Sequence, residues 1–304
     1  MKIFTTKKGQ SSQLKQQKFK LEKDIQRLFE QNLSLITDDY VFISSEFSIK
    51  NSRIDTLAFD KESNAFVIIE YKKQQNTSVV DQGISYLNLM LEYKADFIME
   101  YNETQKNPLK RNEVDWSQSK VIFVSPSFND FQIQATNFKN LPIELWEVNR
   151  FDDEIITVNI INKSKSAPNI KSVTTEKSEE FESLKEIQVY EESDHLNDKS
   201  DEIKELYEEF KQAILNLDNN IEITARKLYV AFKKEKNVVC LRVQKKALKM
   251  WINLPYHELD DPKRLAKDVT NTGHWGNGDC EIIAQDTQHL EYIMSLIKQS
   301  LNKE

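Results

Sequence analysis

The chain has 304 residues, 39% hydrophobic and 30% charged, with a formal net charge of −7. That length builds one large or two moderate domains, and the acidic balance excludes a protein coated in positive charge, so any nucleic-acid contact must use a local basic patch. No run approaches a membrane-spanning helix, the first twenty residues lack the apolar core of a signal peptide, and Cys240 and Cys280 stand far apart with no Cys-x-x-Cys pair, which suits a reduced, cytoplasmic protein and gives no structural zinc signature.

Residues 1–20 are rich in Lys, Gln and Ser and are expected to form a basic flexible arm, frayed or partly ordered. Through residue 27 the arm and its continuation hold Lys2, Lys7, Lys8, Lys15, Lys18, Lys20, Lys23 and Arg27 against Glu22 and Asp24. Such a stretch either neutralises phosphates or is a solvated tail. "LEKDIQRLFEQNLSLI" places Leu21, Ile25, Leu28, Phe29, Leu33 and Ile36 on one helical stripe. "YVFISSEFSI" and "RIDTLAFD" read as strands, and "DKESN" as a hairpin-type turn. "AFVIIEYKK" is nearly continuous in apolar residues, the pattern of a central strand covered on both faces. "SVVDQGISYLNLMLEYKADFIMEYNE" begins as an amphipathic helix, "SKVIFVSPSF" is a buried strand, "DFQIQATNF" a helix, and "IELWEVNRFDDEIITVNII" one or two further strands. Strands alternating with helices in this order indicate an α/β domain over residues 21–161.

Residues 162–200 are rich in Ser, Glu and Lys and poor in large apolar side chains, so they read as an acidic linker. Periodicity returns over 201–304. "EIKELYEEFKQAILNL" and "TQHLEYIMSLIKQSLNK" are helices, and "ITARKLYVAFKK", "NVVCLRVQKKALKMWINLP" and "DCEIIAQD" supply strands, with a mixed helix and strand open for the first. This second domain is α+β and smaller than the first.

The charge pattern around the central strand stands out. Residues two apart in a strand face the same side, so Glu70 and Lys72 project together while Tyr71 faces away, and Asp55 on the preceding strand can lie across from them. Two carboxylates this close repel when both are ionised, and a divalent cation relieves the repulsion. Mg²⁺ suits such a site because it needs only one or two protein carboxylates, and Lys72 could orient a water or offset developing charge. The plain alternative is a surface hairpin carrying a Glu/Lys pair. Against it stand the apolar "FVII", Gln82 and Tyr86 one turn apart on the next helix, and Glu22 with Gln26 one turn later on the first. Glu46, near the end of the strand before Asp55, either joins the site or is an ordinary strand-end charge, and Lys73 and Lys94 could extend a phosphate-binding surface.

The order of "LEKDIQ" with Glu22, "RID" with Asp55, "EYK" with Glu70 and Lys72, and "QGISY" with Gln82 and Tyr86 resembles the PD-(D/E)xK nuclease superfamily, in its RecB- and NucS-like branch. The residue before Asp55 is Ile54 where the motif name has Pro. The resemblance covers residues 20–160. It implies a restriction-endonuclease-like mixed central sheet flanked by helices, Mg²⁺ or Mn²⁺, and hydrolysis of DNA phosphodiesters. By that carry-over Asp55 and Glu70 are metal ligands and Lys72 is the catalytic lysine. The Tyr71 backbone carbonyl supplies a further ligand, Glu22 is a candidate additional one, and Gln82, Tyr86 and Lys73 steady the site or touch DNA. A homodimer is compatible with it, because one such site cuts one strand.

In "DVTNTGHWGNGDCEI" stand three of the five glycines, Gly273, Gly276 and Gly278, with His274 and Trp275 between the first two and Asp279 after the third. The backbone there needs positive φ or close approach. The stretch is either a ligand loop presenting an imidazole and an indole or a tight turn with Trp275 as a core plug. Residues 200–303 resemble an uncharacterised domain that follows nuclease-like domains in proteins labelled "predicted transport protein", on "ARKLYVAFKK", "VCLRVQKKALKMWINLP", "DDPKRLAKDV" and "GHWGNGD". That resemblance carries no chemistry, and no membrane segment supports transport. The reading is a metal-dependent DNA nuclease with a C-terminal ligand- or partner-binding domain. The alternative is a non-catalytic nucleic-acid- or protein-binding module on the same fold.

Overall fold

The computed structural model describes residues 2–7, 9–37, 39–73, 78–138, 140–152, 155–164, 166–168, 190–234, 236–270 and 278–303. Its internal contacts divide it into two units, Met1–Gln188 and Val189–Glu304.

The N-terminal unit is mixed α/β. Strands β1 (Phe4–Lys7) and β2 (Gln10–Gln13) form a hairpin of their own, and β3 (Gln16–Gln17) pairs antiparallel with the later segment Ile143–Phe151. The expected loose arm is therefore a paired hairpin and an edge strand. Its cross-strand Thr5–Ser12 and Thr6–Ser11 hydroxyl pairs, at 2.9 and 3.0 Å, support it where apolar residues do not. Helix α1 (Glu22–Ile36) follows, with Glu22 and Asp24 in its first turn, where negative charge opposes the helix dipole. Strands β4 (Tyr40–Ile49), β5 (Ser52–Asp60) and β6 (Ala65–Tyr71) form an antiparallel meander. Two helices come next, α2 (Val79–Glu92) and α3 (Lys94–Thr104), separated at Tyr93, whose backbone leaves helical geometry. Strand β7 (Lys120–Ser125), helix α4 (Asp130–Thr136) and strands β8 (Ile143–Phe151) and β9 (Ile155–Ile160) complete the unit. The sheet runs β3-β8-β7-β6-β5-β4, with β9 also on β8. The β6-β7 and β7-β8 pairs are parallel and the rest antiparallel.

All seven residues of β6 are buried, and period 2 divides them between two cores. Val67, Ile69 and Tyr71 meet Ile25, Phe29 and Leu33 of α1. Phe66 and Ile68 face the opposite way, into the core that includes Ile84, Leu87 and Met90 of α2 and Phe97 of α3. Burial of each such side chain contributes about 1.5–3 kcal/mol, more than enough to fix a strand that ends on a carboxylate. Helix α2 lies unusually close to the sheet. A Cβ on Gly83 would stand 2.5 Å from Ile143 Cδ1 and 3.3 Å from Phe123, so a larger residue there would require the Ile143 side chain to shift.

The C-terminal unit has α5 (Glu192–Leu196), α6 (Asp201–Leu215), strands β10 (Glu222–Ala225), β11 (Val230–Lys233), β12 (Asn237–Val243), β13 (Leu248–Ile252), β14 (Lys267–Asp268) and β15 (Cys280–Ala284), and α7 (Leu290–Leu301). Helix α5 falls within the stretch expected to be linker. The sheet runs β10-β11-β12-β13-β15-β14 with every pair antiparallel. Phe210 and Ile214 of α6 and Ile293 and Ile297 of α7 pack on one face, against Phe232, Leu241, Met250 and Ile282. The other face carries Tyr229, Ala231, Cys240 and Trp251. Cys240 and Cys280 are both buried and form no disulfide. No helix among the described residues is long and apolar enough to cross a membrane.

Candidate metal-dependent active site

Three elements converge at the C-terminal end of β6. The β5–β6 register pairs Thr56 with Ile69, so one further step sets Asp55 opposite Glu70, with both side chains on the α2 face. Asp55 Oδ2 accepts the backbone N–H of Tyr71 at 3.1 Å. Glu70 is 5% exposed. Its Oε1 accepts Lys72 Nζ at 3.0 Å and Gln82 Nε2 at 3.0 Å. Gln82 Nε2 also lies 3.1 Å from the Tyr86 hydroxyl, which donates to the Arg53 carbonyl at 3.3 Å. Strands β5 and β6 and helix α2 are thereby tied through one carboxylate oxygen.

The other Glu70 oxygen, Oε2, is buried and has no hydrogen-bond partner, and the same holds for Gln82 Oε1. A buried polar atom left unpaired costs about 1–3 kcal/mol, so two in one cluster mark a place suited to an added positive or donor group. Burial pushes the Asp55 carboxyl up to about 6, with the negative charge of Glu70 adding to the rise, while the Tyr71 N–H and Lys72 oppose it. Burial and the nearby Glu70 charge hold the Tyr86 hydroxyl well above its ordinary range, so it stays a neutral donor. A cation between Asp55 and Glu70 would remove the repulsion and occupy the orphaned oxygen. The donor set is all oxygen, which fits a hard divalent ion.

The remaining candidates are placed differently. Glu22 Oε1 accepts the backbone N–H of Lys73 at 2.9 Å, tying α1 to the chain just after β6. Among the described residues no group of three or more His, Cys, Asp or Glu could hold a metal, so Glu22 does not join Asp55 and Glu70 in a three-acid cluster. Lys73 is exposed. Glu46 is an ordinary paired charge. It bonds Lys23 and lies 2.7 Å from Arg53, and the Lys23 hydrogen bond holds its carboxyl below the usual range. Lys94 sits over the Trp116 ring, 5.8 Å from its centroid.

The support beneath Asp55 combines Gln26, already noted one turn after Glu22, with Glu30 and Thr56, which the motif did not single out. Gln26, 3% exposed, shares the two hydrogens of Nε2 among the Asp55 carbonyl at 2.7 Å, Glu30 Oε1 at 2.8 Å and Ser45 Oγ at 3.1 Å. Thr56 donates to Glu30 at 2.6 Å and accepts from the Tyr71 hydroxyl at 3.2 Å. The Gln26–Glu30 spacing of one helical turn was the available signal. Gln26→Leu leaves the Asp55 carbonyl and Glu30 short of a donor, so it is expected to destabilise the N-terminal unit by about 2–3 kcal/mol, read as a lower urea midpoint at unchanged slope.

In the C-terminal unit, Gly273, His274, Trp275 and Gly276 lie outside the described residues. Gly278 has φ +96, and a Cβ there would stand 1.9 Å from the Ile252 carbonyl oxygen. Asp279 donates its N–H to the Leu254 carbonyl at 3.1 Å and accepts from Val269 at 2.9 Å. Both residues close the sheet between β13 and β15.

Residues 21–99, which include Glu22, Asp55, Glu70, Lys72, Gln82 and Tyr86, match the family Endonuclease NucS C-terminal domain. Residues 192–302 match a Domain of unknown function (DUF5655). An uncharacterized protein of Haemophilus influenzae is 78% identical over 301 residues, covering 99% of each chain. Among solved structures, the EndoMS-dsDNA2 complex matches 43% of this chain and 47% of that one at 18% identity, TM-score 0.30. A repair endonuclease from Pyrococcus abyssi matches 43% and 49% at 18% identity, TM-score 0.25. Pyrococcus furiosus SfsA in complex with Ca²⁺ matches 45% and 61% at 13% identity, TM-score 0.24. The match thus spans about half the length of the first two solved chains.

Proposed function

The chain belongs to one protein family with the Haemophilus influenzae protein, and from that premise and the Asp55–Glu70–Lys72 cluster we propose that it is a divalent-metal-dependent DNA nuclease of the PD-(D/E)xK type. The observation that carries this reading is the buried Glu70 carboxylate, with one oxygen held by Lys72 and Gln82 and the other without a partner. Mg²⁺ or Mn²⁺ would be held by Asp55, Glu70 and the Tyr71 backbone carbonyl. The ion supplies positive charge at the phosphoryl oxygens and a more acidic water. Lys72, fixed on Glu70, would orient an attacking water and offset charge as it develops on the phosphoryl group. Gln82 keeps the Glu70 carboxylate in one rotamer, and Tyr86 holds Gln82 against β5. Lys73 is available to a substrate phosphate. Two copies would cut the two strands of a duplex. Cys240 and Cys280, buried thiols that form no disulfide, suit action in the cytoplasm.

The second reading is a non-catalytic DNA- or protein-binding module on the same fold. Cleavage of plasmid, linear duplex and single-stranded DNA with Mg²⁺ or Mn²⁺ separates the two. Metal-dependent cutting is expected, reduced about 10²-fold or more by Lys72→Ala. A folded wild-type protein that cuts none of the three substrates overturns the nuclease reading in favour of the binding module.

A further inference from the structure

The segment that forms β10 to β13, Glu222 to Ile252, holds nine Lys and Arg against two Asp and Glu, in a chain whose net charge is −7. The topology sorts these cations to the two ends of the sheet. At one end, around the β11–β12 connection, they are engaged. Lys234 lies 3.0 Å from Asp218, and Lys233 and Lys236 also have partners.

The opposite end is different. Two hairpin turns lie there side by side. One is closed by Arg226 N–H to the Tyr229 carbonyl at 2.8 Å, with Lys227 and Leu228 at its tip. The other is closed by Gln244 N–H to the Ala247 carbonyl at 2.9 Å, with Lys245 and Lys246 at its tip. Val230 pairs with Leu241, and Val243 with Leu248, so both turns occupy the same edge. The tips stand two strand spacings apart, about 10 Å. Two-residue turns favour Asn, Asp and Gly, and neither tip has one. Lys227, Lys245 and Lys246 are exposed.

Arg242 extends the cluster. It alternates with Leu241 and Val243 of the helix-packed core, so it lies on the helix-free face, directly opposite Lys249. Like charges in that position destabilise a sheet. Lys249 is compensated by Glu281 at 3.0 Å. Lys227, Arg242, Lys245 and Lys246 have no ion-pair partner among the described residues. Four cations spread along one edge match a run of evenly spaced anions better than a single phosphate, which would need donors that converge.

We propose that this turn edge of the C-terminal unit binds the phosphate backbone of DNA, through Lys227, Lys245 and Lys246 at the tips and Arg242 on the adjoining face. Lysine supplies point charge without base readout, so binding is tolerant of sequence and falls steeply with salt. The inference does not depend on Asp55 and Glu70 cutting DNA.

The test is fluorescence anisotropy of a labelled 30-base-pair duplex with the full chain in EDTA, across a salt series. The triple variant Lys227→Gln/Lys245→Gln/Lys246→Gln is expected to bind at least about ten-fold more weakly at low salt, with the log–log salt slope reduced by about 2–3. The double variant Lys234→Gln/Lys236→Gln, at the opposite end, is expected to bind as wild type does. Unchanged melting curves show that both variants fold. Wild-type protein that does not bind the duplex overturns the proposal. So does a triple variant that binds like wild type, or an equal loss in the double variant. Vesicles containing phosphatidylserine form the last arm. Triple-sensitive binding to them, without triple-sensitive binding to DNA, assigns the edge to a membrane surface and overturns the proposal.

Discussion

Asp55→Asn is expected to make the metal-free N-terminal unit more stable at pH 8 while removing its metal response. Burial and Glu70 raise the Asp55 carboxyl from its usual value near 3.8 to about 6. The folded state therefore resists ionising this group. The strain is absent below the unfolded value, develops as pH rises from there to about 6, and is complete above that. Asparagine can keep the acceptor for the Tyr71 N–H without the charge. Because Asp55 is only partly buried, solvent screening trims the gain to about 1–2 kcal/mol, or about 2–6 °C in melting temperature for a unit this size. The gain should fall to a few tenths of a kcal/mol at about pH 4 and vanish by about pH 3. Added Mn²⁺ reverses the order, since only wild type has both carboxylates and gains RT ln(1 + [L]/Kd). A variant no more stable than wild type at pH 8 removes the electrostatic argument for the site.

Gly278→Ala is expected to have the largest effect on the C-terminal unit. The backbone of β13 passes so close that a Cβ would overlap the Ile252 carbonyl oxygen at 1.9 Å and the Asn253 Cα at 2.5 Å, and φ is +96. Backbone cannot swing aside as a side-chain tip can. Relief requires parting β13 from β15, whose pairs Ile252–Cys280 and Met250–Ile282 lie in the core. The cost should exceed about 3 kcal/mol, a fall of at least about 10 °C in that unit's calorimetric transition. Gly9→Ala is the matched control. Its φ is +80, but nothing lies within 4 Å of the added carbon, so the expected cost is only about 1 kcal/mol. Equal effects at the two positions would show that φ alone, not the close approach, makes Gly278 necessary.

Much of the site's geometry was legible because it follows from two periods. Alternation along "IEYK" puts Glu70 and Lys72 on one side, and the helical repeat puts Gln82 and Tyr86 on one face. The structure joins all four by hydrogen bonds. The fate of Glu46 was not legible, because its neutralisation by Lys23 and Arg53 depends on how α1 and β5 dock against β4. In the Gln26–Glu30–Thr56 network under Asp55 only the one-turn Gln26–Glu30 spacing is local, and nothing local announces the Thr56 bond to Glu30, 26 residues away. The N-terminal hairpin escaped for another reason. Its residues are mostly polar and largely exposed on both faces, so hydrophobic periodicity, the main signal for a strand, is missing. The break at Tyr93 was hidden because apolar residues continue across it, from Met90 to Phe97.

The most direct test of the central claim is calorimetric titration of Mn²⁺ into wild type, Asp55→Asn and Glu70→Gln at pH 7.5 and pH 5. The account predicts one Mn²⁺ site in wild type, weaker at pH 5 because protons compete for Asp55, and lost in both variants. Equal Mn²⁺ binding by wild type and the two variants, or none by folded wild type, would contradict it.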